Sequence, residues 1–535
     1  MSEDAVAEKA TEQTEPETSR PTWSSRLRSV APAELTPRTI TVIVILSVVV
    51  LAAILFLPPE LAGGAILTIG ALYLFRRFVF NWTTLLLLLL AVIWFIPIRR
   101  YAIPIPLPFA LEPYRLLILG MIVGVIVALI TDPAFRWRPV AFAWPIGLFF
   151  GTQLLSIIVN AAGLTEHGLD TSAITGLGQL IVLLSTFLVI RQLLSSERIV
   201  MLVLTFTVWA GVIVGFFAIV ERVARVNVFL LLNNFLPLVL LRDPGESLRA
   251  GGARAYASSQ HPIALSVALC MVIPIALYLA RFGGRPRNEI SRRLIYGAGI
   301  GILLIGVLCA VSRTAFIVLG VMLALALIFM PRLAALLIAC AIPAGVLGAL
   351  LLPKLFESTL GTLLNPAALL ASQYSSIGFR GQGRLADLGP AFDTASQFPF
   401  FGTGLGSRIV VGVDQNSNIL DNQMLGTLLD TGIVGIIGLA AFLLVPIISL
   451  LVFAFRTKAG VQYAMLAFAV ATSIAGYTAA MFFYDAFGFM QTFLILDTML
   501  AVGAWLLTEA GARKSAVAAE GLAPADSRVP VRNPA

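Results

Sequence analysis

The chain has 535 residues, of which 59% are hydrophobic and 12% charged, with mean hydropathy +0.95 and a formal net charge of +8. That balance excludes a soluble globular domain. The positive charge is mostly loop arginine between apolar runs, so it does not point to nucleic acid. The runs have helix length and lack the short alternation of a barrel, and in lipid every backbone polar group must be paired within the protein. The expected fold is all-α, a polytopic helical membrane bundle.

Residues 1–38 are polar and rich in Glu, Thr and Ser, which predicts a disordered cytoplasmic tail. The first apolar run, Thr39–Leu57, is followed by no A-x-A cleavage pattern and reads as a retained helix. Hydropathy predicts about fourteen spans in a membrane domain covering 39–508. They fall at 39–57, 61–75, 79–98, 116–131, 140–159, 173–194, 199–221, 263–281, 294–311, 315–330, 333–352, 430–455, 461–484 and 486–508. Residues 509–535, rich in Ala, Pro and Arg, predict a second disordered tail. No internal repeat is visible. Cys270, Cys309 and Cys340 fall inside apolar runs and read as packing residues.

With both termini placed inside, the alternating cytoplasmic loops hold Arg76/Arg77, Arg136/Arg138, Arg191/Arg198, Arg332, Arg456/Lys458 and the run Arg281, Arg285, Arg287, Arg292, Arg293. Two long loops then face outward, at about 222–262 and 353–423. Long loops in compact proteins are functional or disordered, and these carry aromatics and Gly-Pro punctuation, which favours order. The segment VNVFLLLNNFLPLVLL in the first is interrupted by Asn and Pro and predicts an interfacial or re-entrant helix.

Arginines on the outer side run against the topology bias. Arg254 precedes SSQHP, Arg313 sits in the tight turn VSRTA, and Arg380, Arg384 and Arg408 lie in the second loop. A guanidinium grips phosphate oxygens as a bidentate fork and keeps its charge in a partly dry site, so these five are candidates to bind a diphosphate. The plain alternative is contact with lipid headgroups. Acid–base candidates are few. His261 opens a helix before Pro262, and its ordinary pKa near neutrality makes it the favoured proton acceptor. Asp421 and Asn422 open the LDNQML segment, with Asp430 further along; Asp421, with Asp430 behind it, is the alternative base, and otherwise orients the acceptor hydroxyl or caps its helix. GTGLGS at 402–407 has neither βαβ context nor a Walker lysine, and DQNSN at 414–418 lacks the central Gly and final Glu of a calcium loop. No metal site and no cofactor are expected.

Four stretches resemble, in order and spacing, the O-antigen ligase and O-antigen polymerase superfamily: RAYASSQHPIAL (254–265), VSRTA (311–315), GRLADLGPAFD through PFFGTGLG (383–406), and LDNQMLGTLLDTGIVG (420–435). The resemblance spans about residues 200–460. It implies a bacterial inner-membrane enzyme of surface polysaccharide biosynthesis. Such a protein takes a glycan from an undecaprenyl diphosphate carrier at the outer face and passes it to a glycan, lipid or protein acceptor, without nucleotide. The resemblance places Arg254 and Arg313 on the diphosphate. The family's ligases carry His before the Asn where this chain has Asp421, which leaves polymerase or another acceptor open. A transporter or flippase of lipid-linked glycans is the competing class. Mid-span charge is scarce, Asp497 being the clearest case, and transporters place charge at mid-membrane. The peptidoglycan polymerase type, which also uses lipid diphosphates, is a minor third reading.

Overall fold

The computed structural model describes residues 81–104, 110–133, 135–241, 248–249, 252–351, 353–357, 361, 364–365, 367, 370–371, 388–407, 421–457 and 460–510. The expected spans 39–57 and 61–75, both tails apart from Glu509 and Ala510, and Arg380, Arg384, Arg408 and the 414–418 segment lie outside these residues.

The architecture is helical. In chain order the helices are α1 (Trp82–Phe95), α2 (Pro113–Thr131), α3 (Ala143–Val159), α4 (Ala161–Glu166), α5 (Asp170–Leu193), α6 (Glu197–Ala224), α7 (Pro262–Phe282), α8 (Glu289–Cys309), α9 (Arg313–Phe329), α10 (Pro331–Leu351), α11 (Pro353–Phe356), α12 (Leu388–Gln397), α13 (Gln423–Arg456), α14 (Val461–Ala480) and α15 (Met490–Trp505). Nine helices among the described residues are long and apolar enough to cross a membrane, and α1, α3 and α9 are shorter apolar helices. These account for the twelve expected spans that fall on described residues.

Sequence sets the helix starts. Ser196, Asn288 and Asn422 cap α6, α8 and α13, each side chain accepting a main-chain N–H of the first turn. Proline occupies the first turn of α2 and α7, where its missing N–H costs nothing. Two helices form the centre: 83% of the α7 span and 94% of the α15 span are buried, against 22% for α2 and 6% for α10. Helix α7 packs on α6, α8, α9, α14 and α15; α13 packs on α3 and α14. Stacked Phe149, Phe442 and Phe493 join α3, α13 and α15 across the core.

Where the inter-helix connections touch across the bundle, they sort into two ends. At one end Arg100 donates to the Gln260 carbonyl at 2.8 Å, Tyr101 to the Phe229 carbonyl at 3.0 Å, and Gln423 N–H to the Met481 carbonyl at 2.9 Å. At the other, Glu509 pairs with Arg138 and Arg191 at 3.2 Å each, and Tyr463 donates to Glu197 at 2.7 Å. This is the alternation expected from hydropathy. The expected interfacial helix differs. Val228–Asn234 is a 3₁₀ turn started by Asn227, and after Pro237 the chain extends as β2 (Val239–Leu240), antiparallel to β1 (Tyr101–Ala102). Proline cannot continue a helix and its predecessor favours extended backbone, which explains the change. A second ladder pairs β3 (Leu248–Arg249) with β4 (Gly252–Ala253).

Candidate functional site

The polar groups singled out from sequence, so far as they are described and apart from Asp430, gather at the first of these ends. Arg254 is buried, 6% exposed, and its Nε donates to the Ala310 carbonyl at 3.1 Å. The next residue ties the same segments together, Ala255 N–H donating to the Cys309 carbonyl at 3.1 Å. The connection between α8 and α9 is only Ala310–Ser312, with Val311 in the left-handed region at φ 48°, and Arg313 is the first residue of α9. Arg254 therefore reaches into the turn that carries Arg313, although 59 positions separate them in the chain. A left-handed non-glycine residue costs about 1–2 kcal/mol and persists only where its surroundings enforce it.

His261 caps α7. Its Nδ1 accepts the Ile263 N–H at 3.2 Å, so the hydrogen of the neutral ring sits on Nε2. The ring lies against Phe489, with centroids 5.4 Å apart, and Phe489 stacks on Tyr484 at 5.7 Å. The 481–489 connection carries this contact to the start of α13. Gln423 N–H donates to the carbonyls of Met481 and Tyr484, and Gln423 Oε1 accepts the Phe487 N–H at 3.0 Å. Asn422 caps α13 by accepting the Leu425 N–H at 3.1 Å, and half-buried Asp421 precedes it outside the helix. His261 and Asp421 are thus linked through one connection. Asp430 stands apart, two turns into α13 and 7% exposed.

The glycine-rich stretch has a backbone role. Helix α13 is broken at Gly432, whose φ of 65° and ψ of −162° are not helical. In an unbroken helix the N–H groups of residues 433 and 434 would bond the carbonyls of 429 and 430. Here the 399–404 segment takes all four. Thr403 N–H donates to the Leu429 carbonyl and Gly404 N–H to the Asp430 carbonyl, both at 2.9 Å. In return the Pro399 and Phe400 carbonyls accept from Ile433 and Val434 at 2.9 and 3.2 Å. The Ser156 hydroxyl of α3 lies 2.8 Å from both the Phe401 and Asp430 carbonyl oxygens. These four main-chain groups freed by the break are thus satisfied. A Cβ at Gly402 would overlap the Leu429 carbonyl, and one at Gly432 the Phe400 carbonyl.

Sequence reasoning passed over several residues that shape this end. Arg100 stacks over the Tyr256 ring at 5.1 Å besides binding Gln260. Gln491 of α15 bonds Ser259 and Ser258, and its Nε2 donates to the Ile93 carbonyl at 2.9 Å. Glu221 ends α6 close to this network. The available signals were a glutamine inside an apolar run and a carboxylate in the last turn of a helix, where the dipole disfavours it. Among the described residues no group of three or more His, Cys, Asp or Glu side chains could hold a metal ion.

Residues 298–440 match the family model described as O-Antigen ligase. No curated protein matches the chain. The matched stretch contains the Arg313 turn, the broken helix with its glycine partner segment, and Asp421–Asn422; Arg254 and His261 precede it. The superfamily resemblance read from the sequence is borne out over this stretch, which lies within a multi-pass helical membrane bundle.

Proposed function

We propose that this protein transfers or polymerises a glycan from an undecaprenyl diphosphate carrier at the outer face of the cytoplasmic membrane. The observation that carries the reading is the convergence of Arg254 with the Arg313 turn, at the same end of the bundle as His261 and Asp421. The acceptor hydroxyl oxygen attacks the anomeric carbon, forming the new glycosidic C–O bond. The C–O bond to the diphosphate breaks, and undecaprenyl diphosphate leaves with the electron pair. Negative charge grows on the leaving group, and fixed guanidinium groups aimed there lower the barrier without reorganising. The diphosphate linkage supplies the driving force. Arg380, Arg384 and Arg408 remain candidates for further contacts to the donor, and the Asn422 side-chain amide for the acceptor.

The proton of the acceptor hydroxyl needs a destination. With Nδ1 engaged in capping α7, the neutral His261 ring carries its hydrogen on Nε2 and serves as a donor rather than a base. This reverses the preference expressed from sequence and assigns the proton to the Asp421 carboxylate, with Asp430 behind it. Asp421→Asn is accordingly expected to lower turnover by roughly 10²–10⁴, the span of general base catalysis. His261→Ala is expected to lower it by roughly 10-fold, one hydrogen bond's worth. Purified variants assayed with a lipid-diphosphate-linked glycan check this, and loss confined to His261→Ala would restore the histidine as base.

Sidedness is open to direct labelling. A cysteine at Ser396 is expected to react with an impermeant maleimide added to intact cells, and one at Ser291 only after lysis. Reaction at Ser291 in intact cells, with Ser396 protected, would invert the topology and remove the donor site from the outer face.

A further inference from the structure

Arg254 has no helix or strand of its own to hold it, so something else must fix its main chain. Glu221 does most of this. Its Oε2 accepts the N–H groups of Tyr256 at 3.2 Å and Ala257 at 2.7 Å, and its Oε1 accepts Asn227 Nδ2 at 3.2 Å. Asn227 Nδ2 also donates to the Ala257 carbonyl at 2.9 Å, while its Oδ1 accepts the Phe229 N–H at 2.9 Å. Ala257 sits at φ 46°, a left-handed conformation without glycine's freedom. Two successive N–H groups converging on one anion are the arrangement that stabilises such a turn. On the other flank the neighbouring Arg222 donates to the Ala253 carbonyl. The last turn of α6 therefore grips the chain on both sides of Arg254, and Arg254 then spans to Ala310 beside the Arg313 turn.

We infer that Glu221 is a positioning residue for donor binding: it holds the 255–257 turn in the strained form that aims Arg254 at the Arg313 turn. This rests on the reading that Arg254 binds the carrier diphosphate. The clamp needs a carboxylate and not merely its shape. A Gln at this position has one acceptor oxygen. If that oxygen keeps the two backbone N–H groups, its NH₂ meets the NH₂ of Asn227. Asn227 cannot turn over to relieve this, because its oxygen is already bonded to Phe229 N–H.

The test measures equilibrium binding of undecaprenyl diphosphate to the full-length protein in nanodiscs, with amide hydrogen exchange over 253–261 read in parallel. Glu221→Gln is expected to weaken binding roughly 10- to 100-fold, the scale of a misplaced positioning group. Exchange at Tyr256 and Ala257 is expected to quicken. In turnover assays the KM for the donor rises while the KM for the acceptor stays put; a variant that is simply less well folded would lower the active fraction and move neither. Asn227→Ala, which removes the outer half of the clamp, gives a weaker effect of the same sign and decides the matter if the first variant does not accumulate. Weakened binding by Arg254→Ala together with wild-type binding by both clamp variants would overturn the role of Glu221 alone. Wild-type binding by Arg254→Ala would instead overturn the donor-site reading, and the positioning role with it.

Discussion

Arg313→Ala and Arg254→Ala are each expected to lower glycan transfer by roughly 10²–10³, the cost of removing one preorganised group that stabilises a developing anion. The two should not be equivalent. Arg313 begins a helix at a three-residue turn and is half-buried, so its loss is expected to cost the fold less than loss of the buried Arg254. Arg254 is buried and bonded to the Ala310 carbonyl, so its loss also frees a main-chain acceptor. Lysine is expected to restore little at either position, because an ammonium is a point charge without the planar fork that grips two phosphate oxygens. Turnover per folded molecule, with folded protein quantified by size-exclusion chromatography, checks this. Near-normal turnover of both alanine variants would remove the arginines from the mechanism.

Gly432→Ala and Gly402→Ala are expected to cost stability rather than chemistry alone, on the order of 3–5 kcal/mol each. Both glycines have φ of about 65°, and at both a Cβ meets main-chain atoms of the opposing segment, which cannot swing aside as a side chain can. Relieving the overlap means parting the 399–404 segment from α13, which would strand four paired backbone groups, the buried Leu429 and Asp430 carbonyls among them. Gly320 of α9 supplies the contrast: a Cβ there meets nothing within 4 Å, and Gly320→Ala is expected to be neutral or to stabilise by up to ~1 kcal/mol through helix propensity. Thermal unfolding in detergent, followed by loss of the monodisperse peak, compares the three. A Gly432→Ala protein as stable as the Gly320→Ala protein would show that the cross-pairing is dispensable.

What the sequence made legible follows from the physics of each signal. Lipid forces helix-length apolar runs, so hydropathy located the spans and the alternation of the loops. It placed the start of α13 seven residues late, at 430 instead of 423, because the half-helix QMLGTLLDT is too polar to register as membrane. The break at Gly432 and its partner GTGLG segment were visible as glycine clusters. Their purpose was not, because main-chain pairing between segments some 30 residues apart leaves no side-chain pattern. The arginines stood out as candidates because they defy the charge bias of membrane loops. Glu221 was not, because a carboxylate at a helix end looks like an ordinary boundary residue until the turn it grips is in view. His261 was recognised as a helix start, and only the bond to Ile263 N–H revealed which ring nitrogen is engaged.

The central claim is that the protein cleaves the bond between glycan and lipid diphosphate and does not merely move the lipid. Purified protein in proteoliposomes, supplied with a lipid-diphosphate-linked glycan and an acceptor glycan, tests it most directly. The account predicts undecaprenyl diphosphate and extended acceptor in equal amounts, without nucleotide, and both products forming roughly 10²–10³-fold more slowly with the Arg313→Ala protein. Intact lipid-linked glycan appearing in the opposite leaflet, with no diphosphate released, would contradict it and identify a transporter.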